Sequence, residues 1–178
     1  DRWIVTEDGM SYIFRLRDGT WPDGSAITAQ GARESLRTAI AGLRQTGLAL
    51  DLADRPARAG LLDRVTDLGL TADILVNNAG MSTLGPVSGS DPEAEVNMIE
   101  VDVVALADLC SRFLPGMVER RRGAVLNVAS TAAFQPLPGQ AGYGGCKAFV
   151  LSYTRSLDGE LRGSGVTASA LCPGPVDT

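Results

Sequence analysis

From about residue 50 the chain alternates short apolar runs with helix-like stretches, and that order leaves little choice of architecture. Asp73-Ile-Leu-Val-Asn77, Ala124-Val-Leu-Asn-Val128 and Val166 to Leu171 read as buried strands. The stretches beside them read as helices: Pro56 to Leu68, Pro92 to about Val118, and Gln140 to about Arg162. Pro115 is expected to bend or end the first part of the second of these, because proline lacks an N–H and crowds the preceding turn. Apolar strands separated by helices imply an α/β fold with a parallel sheet covered by helices. No internal repeat or low-complexity tract breaks the pattern.

The first 48 residues have a different texture. Trp3, Tyr12, Phe14 and Trp21 crowd the beginning. Trp3 to Thr6 and Ser11 to Arg17 flank a turn-like Glu7-Asp-Gly-Met10, which predicts a β-hairpin with one buried face. Asp18 to Gly24 reads as a loop, and Thr28 to about Leu43 as a helix. The chain is therefore expected to divide into 1–48, a hairpin and helix segment, and 49–178, the α/β part.

Composition narrows the function. Net charge is −5 and the pI about 4.7, which argues against an electrostatic nucleic-acid binder. The basic run Arg120 to Arg122 follows a helical stretch, where cations suit the negative end of the helix dipole. Cys110, Cys146 and Cys172 form no CxxC pair, which argues against a zinc site or disulfide framework and suits a reducing cytoplasm. There is no His, so the commonest general base and metal ligand is missing. No apolar run reaches membrane-spanning length. The first residue is Asp, so a fragment or processed product is expected. Lys147 is the single Lys, a compact ammonium in a chain that otherwise uses Arg.

That Lys lies four residues after Tyr143 in a helical stretch, so the two share a face. An ammonium beside a phenol favours the phenolate, and such a Tyr can exchange a proton with a substrate hydroxyl or carbonyl. Ser130 follows the strand ending at Val128. This puts its hydroxyl at the carboxyl end of the sheet, where open α/β sheets bind ligands. It can there hydrogen-bond a carbonyl oxygen as hydride arrives or leaves. Asn77-Asn-Ala-Gly80 follows an earlier strand and Pro173-Gly174 a later one.

With these motifs the sequence resembles the short-chain dehydrogenase/reductase family, from about Ala49 to the end. The resemblance implies a partial Rossmann-like, doubly wound parallel sheet and an NAD- or NADP-dependent oxidoreductase acting on a small alcohol or carbonyl substrate. It implies catalytic roles for Ser130, Tyr143 and Lys147, with Lys147 also holding the nicotinamide ribose. It places Asn78, Ala79 and Gly80 beside the adenosine end of the cofactor, and Asp51 with Leu52 near the adenine. Pro173, Gly174, Val176 and Thr178 would contact the nicotinamide carboxamide. The corresponding helices, residues 92–118 and 140–162, commonly pack between subunits, which makes a homo-oligomer plausible. A cytoplasmic protein without membrane or nucleic-acid partners is expected, and no metal.

Three departures stand out. Where the family usually carries an Asn that feeds a proton relay, Asp102 stands here, and Asn97 lies over a turn too early. The Gly-rich turn that lets backbone amides approach the pyrophosphate is missing, since Gly19 to Gly24 holds Trp21 and Pro22 where close approach is needed. The substrate loop would follow Thr178, and impaired cofactor binding and activity are expected of the chain as it stands. Residues 2–47 instead look like a segment of the peptide-binding proteins of ABC transporters, with Asp18-Gly19 and Trp21-Pro-Asp-Gly24. A fused or mis-joined reading frame is the expectation, with a solute-binding fragment or a non-catalytic oligomerising remnant as alternative readings. The strand at Ile74 to Val76 would then be an unpaired edge, and marginal stability is predicted.

Overall fold

In a computed structural model of the protein, residues 3–5, 12–14 and 48–174 are described. They belong to two compact units, one containing the start of the chain and the other spanning Leu50–Gly174. In the first, β1 (Trp3–Val5) pairs antiparallel with β2 (Tyr12–Phe14), Trp3 opposite Phe14 and Val5 opposite Tyr12. The strand pair is the one the aromatic runs predict. Its expected buried face, the loop at 18–24 and the helix at 28–43 lie outside the described residues.

The second unit is built on a parallel sheet of order β3 (Ile74–Asn77), β4 (Gly123–Val128), β5 (Val166–Leu171). Ile74 pairs with Ala124 and Asn77 with Asn127, while Gly123 pairs with Val166 and Val128 with Leu171. Parallel neighbours need long crossovers, and helices supply them. The stretch expected as one helix before β3 is two, α1 (Arg55–Ala59) and α2 (Leu61–Asp67), with Gly60 at the joint. Asp54 caps α1 by accepting from the Ala57 amide at 3.1 Å, and Pro56 sits in the first turn, where its missing N–H costs nothing.

The next helical rod runs without interruption through α3 (Pro92–Ile99), a π-helical turn (Glu100–Ala105) and α4 (Leu106–Glu119). Pro115 does not end it, and the helix continues to Glu119. Its ring is exposed, while Phe113 and Met117 on either side are 7% and 0% exposed and hold α4 to the core. The irregularity lies instead in the π-helical turn, which nothing in the local sequence announces. Last comes α5 (Ala141–Glu160), after a 3-10 turn at Thr131–Phe134.

The core lies between α4, α5 and one face of the sheet. Leu109, Cys110, Phe113 and Met117 meet Val125, Ala129, Val150, Leu157, Val166 and Ala168. Each fully buried Val, Leu, Phe or Met side chain among them contributes roughly 1.5–3 kcal/mol. The opposite face is different. Ile74 and Val76 are 67% and 51% exposed, and Thr167, Ser169 and Leu171 are exposed too. Among the described residues the doubly wound arrangement is thus present by half, with helices on one face and β3 paired on one side.

Candidate active site

The carboxyl ends of the three strands open onto three loops: Asn78–Gly80, Ala129–Ser130 and Cys172–Gly174. Ala129 donates its amide to the Leu171 carbonyl at 2.7 Å and Thr131 donates to the Pro173 carbonyl at 2.9 Å, holding the second loop to the third. Ser130 has extended backbone and caps the 3-10 turn, its hydroxyl accepting from the Ala132 amide at 3.1 Å. It is half-buried, at the mouth expected for it.

Lys147 is the meeting point of the site. Its side chain is folded inward from α5 and the residue is only 5% exposed. The ammonium lies 5.5 Å from the centroid of the Tyr143 ring and donates to the Val128 carbonyl at 3.2 Å. It also faces Asp102 Oδ2 at 3.1 Å. A buried ammonium is tolerable only when paired and hydrogen-bonded, and these contacts provide both.

Asp102 is 2% exposed and projects from the π-helical turn. Its Oδ1 accepts from the Met81 amide at 2.8 Å, while Oδ2 accepts no hydrogen bond and faces the ammonium alone. The acid that stands where the family usually carries an Asn is thus the ion-pair partner of Lys147. Asn97 is exposed, its amide 3.5 Å from Met81 Sδ, and takes no part in that contact. Gly80 makes the arrangement possible. A Cβ there would lie 3.0 Å from Asp102 Oδ2 and 3.1 Å from Lys147 Nζ. Gly142, just before Tyr143, is under similar pressure, because a Cβ would collide with Glu95 and Met98 of α3.

Asn78, Ala79 and Gly80 form an exposed turn beside this pair. Asp51 is exposed, with Oδ1 accepting from the Ala53 amide at 2.9 Å, and Leu52 is half-buried. Pro173 and Gly174 are half-buried, whereas Val176 and Thr178 lie outside the described residues. The buried ammonium and the adjoining phenol suit the ribose and nicotinamide end of a dinucleotide.

Two features escaped sequence reading. Asn77 donates to Asn127 Oδ1 at 2.8 Å, Asn127 donates to Thr154 Oγ1 at 2.9 Å, and Thr154 donates to the Val150 carbonyl at 2.6 Å. This buried chain of hydrogen bonds runs from β3 through β4 to α5. The signal for it was an Asn inside each of two apolar strands. The other feature is Arg58, 2% exposed and surrounded by acids, which the sequence gives no reason to single out.

All three cysteines are free thiols. Burial, and next the charge of Asp102, push the Cys146 thiol up to about 11, so it stays protonated beside Lys147. Among the described residues no cluster of His, Cys, Asp or Glu is placed to hold a metal. Arg120 and Arg122 are exposed at the end of α4 and pair with Asp73, as a solvated helix terminus would.

The sequence model of the family described as short chain dehydrogenase matches residues 23–178. A short chain dehydrogenase of Pseudocercospora fijiensis is 35% identical over 164 residues, 87% of this chain and 53% of that one. The crystal structure of serine dehydrogenase from Escherichia coli, 35% identical, superposes with a TM-score of 0.66 over 70% of this chain and 58% of its own. A short-chain dehydrogenase from Sphingobium yanoikuyae in complex with NADPH is 33% identical, with a TM-score of 0.64 over 70% and 48% of the two chains. The chain thus spans about half the length of the curated relatives it matches. The family match begins inside the stretch where a likeness to peptide-binding proteins was expected, and no comparison supports that second likeness.

Proposed function

Because the chain belongs to the short-chain dehydrogenase/reductase family, we propose that its site serves an NAD- or NADP-dependent oxidoreduction of a small alcohol or carbonyl compound. The observation that carries this reading is the placement of the sole lysine, buried beside Tyr143 and tied to the carboxyl end of β4. Tyr143 exchanges the proton of the substrate oxygen, and Ser130 hydrogen-bonds that oxygen. Lys147 lends positive charge to the phenol and holds ribose hydroxyls. The nicotinamide, when bound, supplies or accepts the hydride. Asp102 takes the place of the family's Asn and acts as counter-ion and tether for Lys147.

The family favours a protein working in the cytoplasm on a small molecule. Exposed Val96, Ile99 and Phe149 on the helices expected to meet between subunits favour a homo-oligomer. The test is turnover of a panel of short-chain alcohols and ketones with each nicotinamide cofactor, followed by absorbance. Wild-type protein should turn over at least one pair, and Tyr143→Phe should lose at least a hundredfold in kcat. Equal rates in the two proteins would refute the assignment, and silence in both would favour a non-catalytic relative.

A further inference from the structure

We propose that Arg58 is a positioning residue that fixes the Asp51–Leu52 turn for the adenine end of the cofactor by tying it to the π-helical turn that carries Asp102. The proposal rests on the cofactor reading above. Arg58 lies in α1, and its guanidinium donates to three different segments. Nη1 donates to the Leu52 carbonyl, Nη2 to Glu100 Oε1 at 3.1 Å and Nε to Asp108 Oδ2 at 2.8 Å. Glu100 opens the π-helical turn and Asp108 lies in the first turn of α4.

A guanidinium 2% exposed is an expensive way to fill space, since apolar residues of similar volume pack as well or better. What it adds is a rigid fork with several donors at fixed angles. Both acids are engaged a second time: Glu100 by Arg55 at 2.8 and 3.0 Å, Asp108 by Arg112 at 2.9 Å. Arg58 can therefore not swing away without leaving its own donors unpaired. On the cofactor side, Asp51 Oδ1 already holds the Ala53 amide, and Arg58 grips the carbonyl between them from inside. The tie thus joins the adenine turn to the segment that carries the counter-ion of Lys147.

Binding of NAD(P)H and of reduced nicotinamide mononucleotide, which lacks the adenylate, separates positioning from plain structural damage. Arg58→Lys should weaken NAD(P)H binding about tenfold, the scale of one charge-assisted hydrogen bond, and leave the mononucleotide within about twofold. Glu100→Gln cuts the same tie from the other end and must show the same selective loss if Arg58→Lys does not fold. Equal weakening of both nucleotides, or of neither, would overturn the proposal. A wild-type protein that binds neither nucleotide counts against the cofactor reading, and amide exchange then decides on the tie. Exchange at 52–54 and at 100–105 should quicken together in the variant, and quickening at one segment alone, or at neither, would overturn it.

Discussion

A single methyl group is enough to test the geometry around Lys147. Gly80→Ala would put a carbon 3.0 Å from Asp102 Oδ2 and 3.1 Å from Lys147 Nζ, in an exposed loop. The fold should survive while the ammonium moves, and misplacement of about 1 Å costs up to about a hundredfold in rate. The expected outcome is an unchanged melting temperature with a large loss of kcat. Asp102 makes the complementary case. Asp102→Ala leaves a buried ammonium without its counter-ion and should destabilise by about 3–5 kcal/mol, readable as a shifted urea midpoint. Asp102→Asn keeps an acceptor for the Met81 amide and should cost less. At this scale the sequence was informative where residue type alone speaks: a lone Lys, and a Tyr four residues before it. It was silent on the Asp102–Lys147 contact, because two residues far apart in the chain leave no spacing signature.

Between elements, charge ties α1 to the rod that follows β3. Hydrogen bonds from Arg55 to Glu100, and from Arg112 to Asp108, hold both carboxyls below their usual range, with Arg58 adding to each. Their folded pKa values are depressed, so the unfolded chain binds more protons as pH falls. The stabilisation is present above the ordinary carboxylate range of about 4 and is lost as pH drops through the lower folded values. Urea midpoints should be flat from neutral pH to about 5 and fall below about 4, and Arg58→Met should flatten that fall. The polar chain between strands and α5 gives a second check. Asn127→Ala strips Asn77 of its acceptor and Thr154 of the donor to its oxygen, while Thr154 keeps its bond to the Val150 carbonyl, and should cost about 1–3 kcal/mol. The strands and α5 were legible because apolar runs and helical spacing are local signals. Whether Pro115 would bend or end its helix was not legible, because that depends on which side of the helix its ring faces, and only packing decides it.

Across the whole molecule the sheet is the weak point. Among the described residues β3 is paired on one side only, and its outward residues Ile74 and Val76 are well exposed. An apolar strand edge of this kind invites pairing with other chains. Purified protein should unfold at modest temperature or associate with concentration, whereas a cooperative, high-temperature melt of a monomer would contradict this. The α/β class and the parallel sheet were readable from the alternation of elements. That the helices among the described residues lie on one face was not, because coverage depends on how elements pack rather than on their order.

The account stands on Lys147 as the group that receives a nicotinamide cofactor beside Tyr143. Titrating NADH and NADPH with wild-type protein and with Lys147→Met, and following nicotinamide fluorescence, tests that most directly. The account predicts a saturable enhancement with at least one cofactor in the wild type and its loss in the variant. No enhancement in the wild type, or the same enhancement in both, would contradict it.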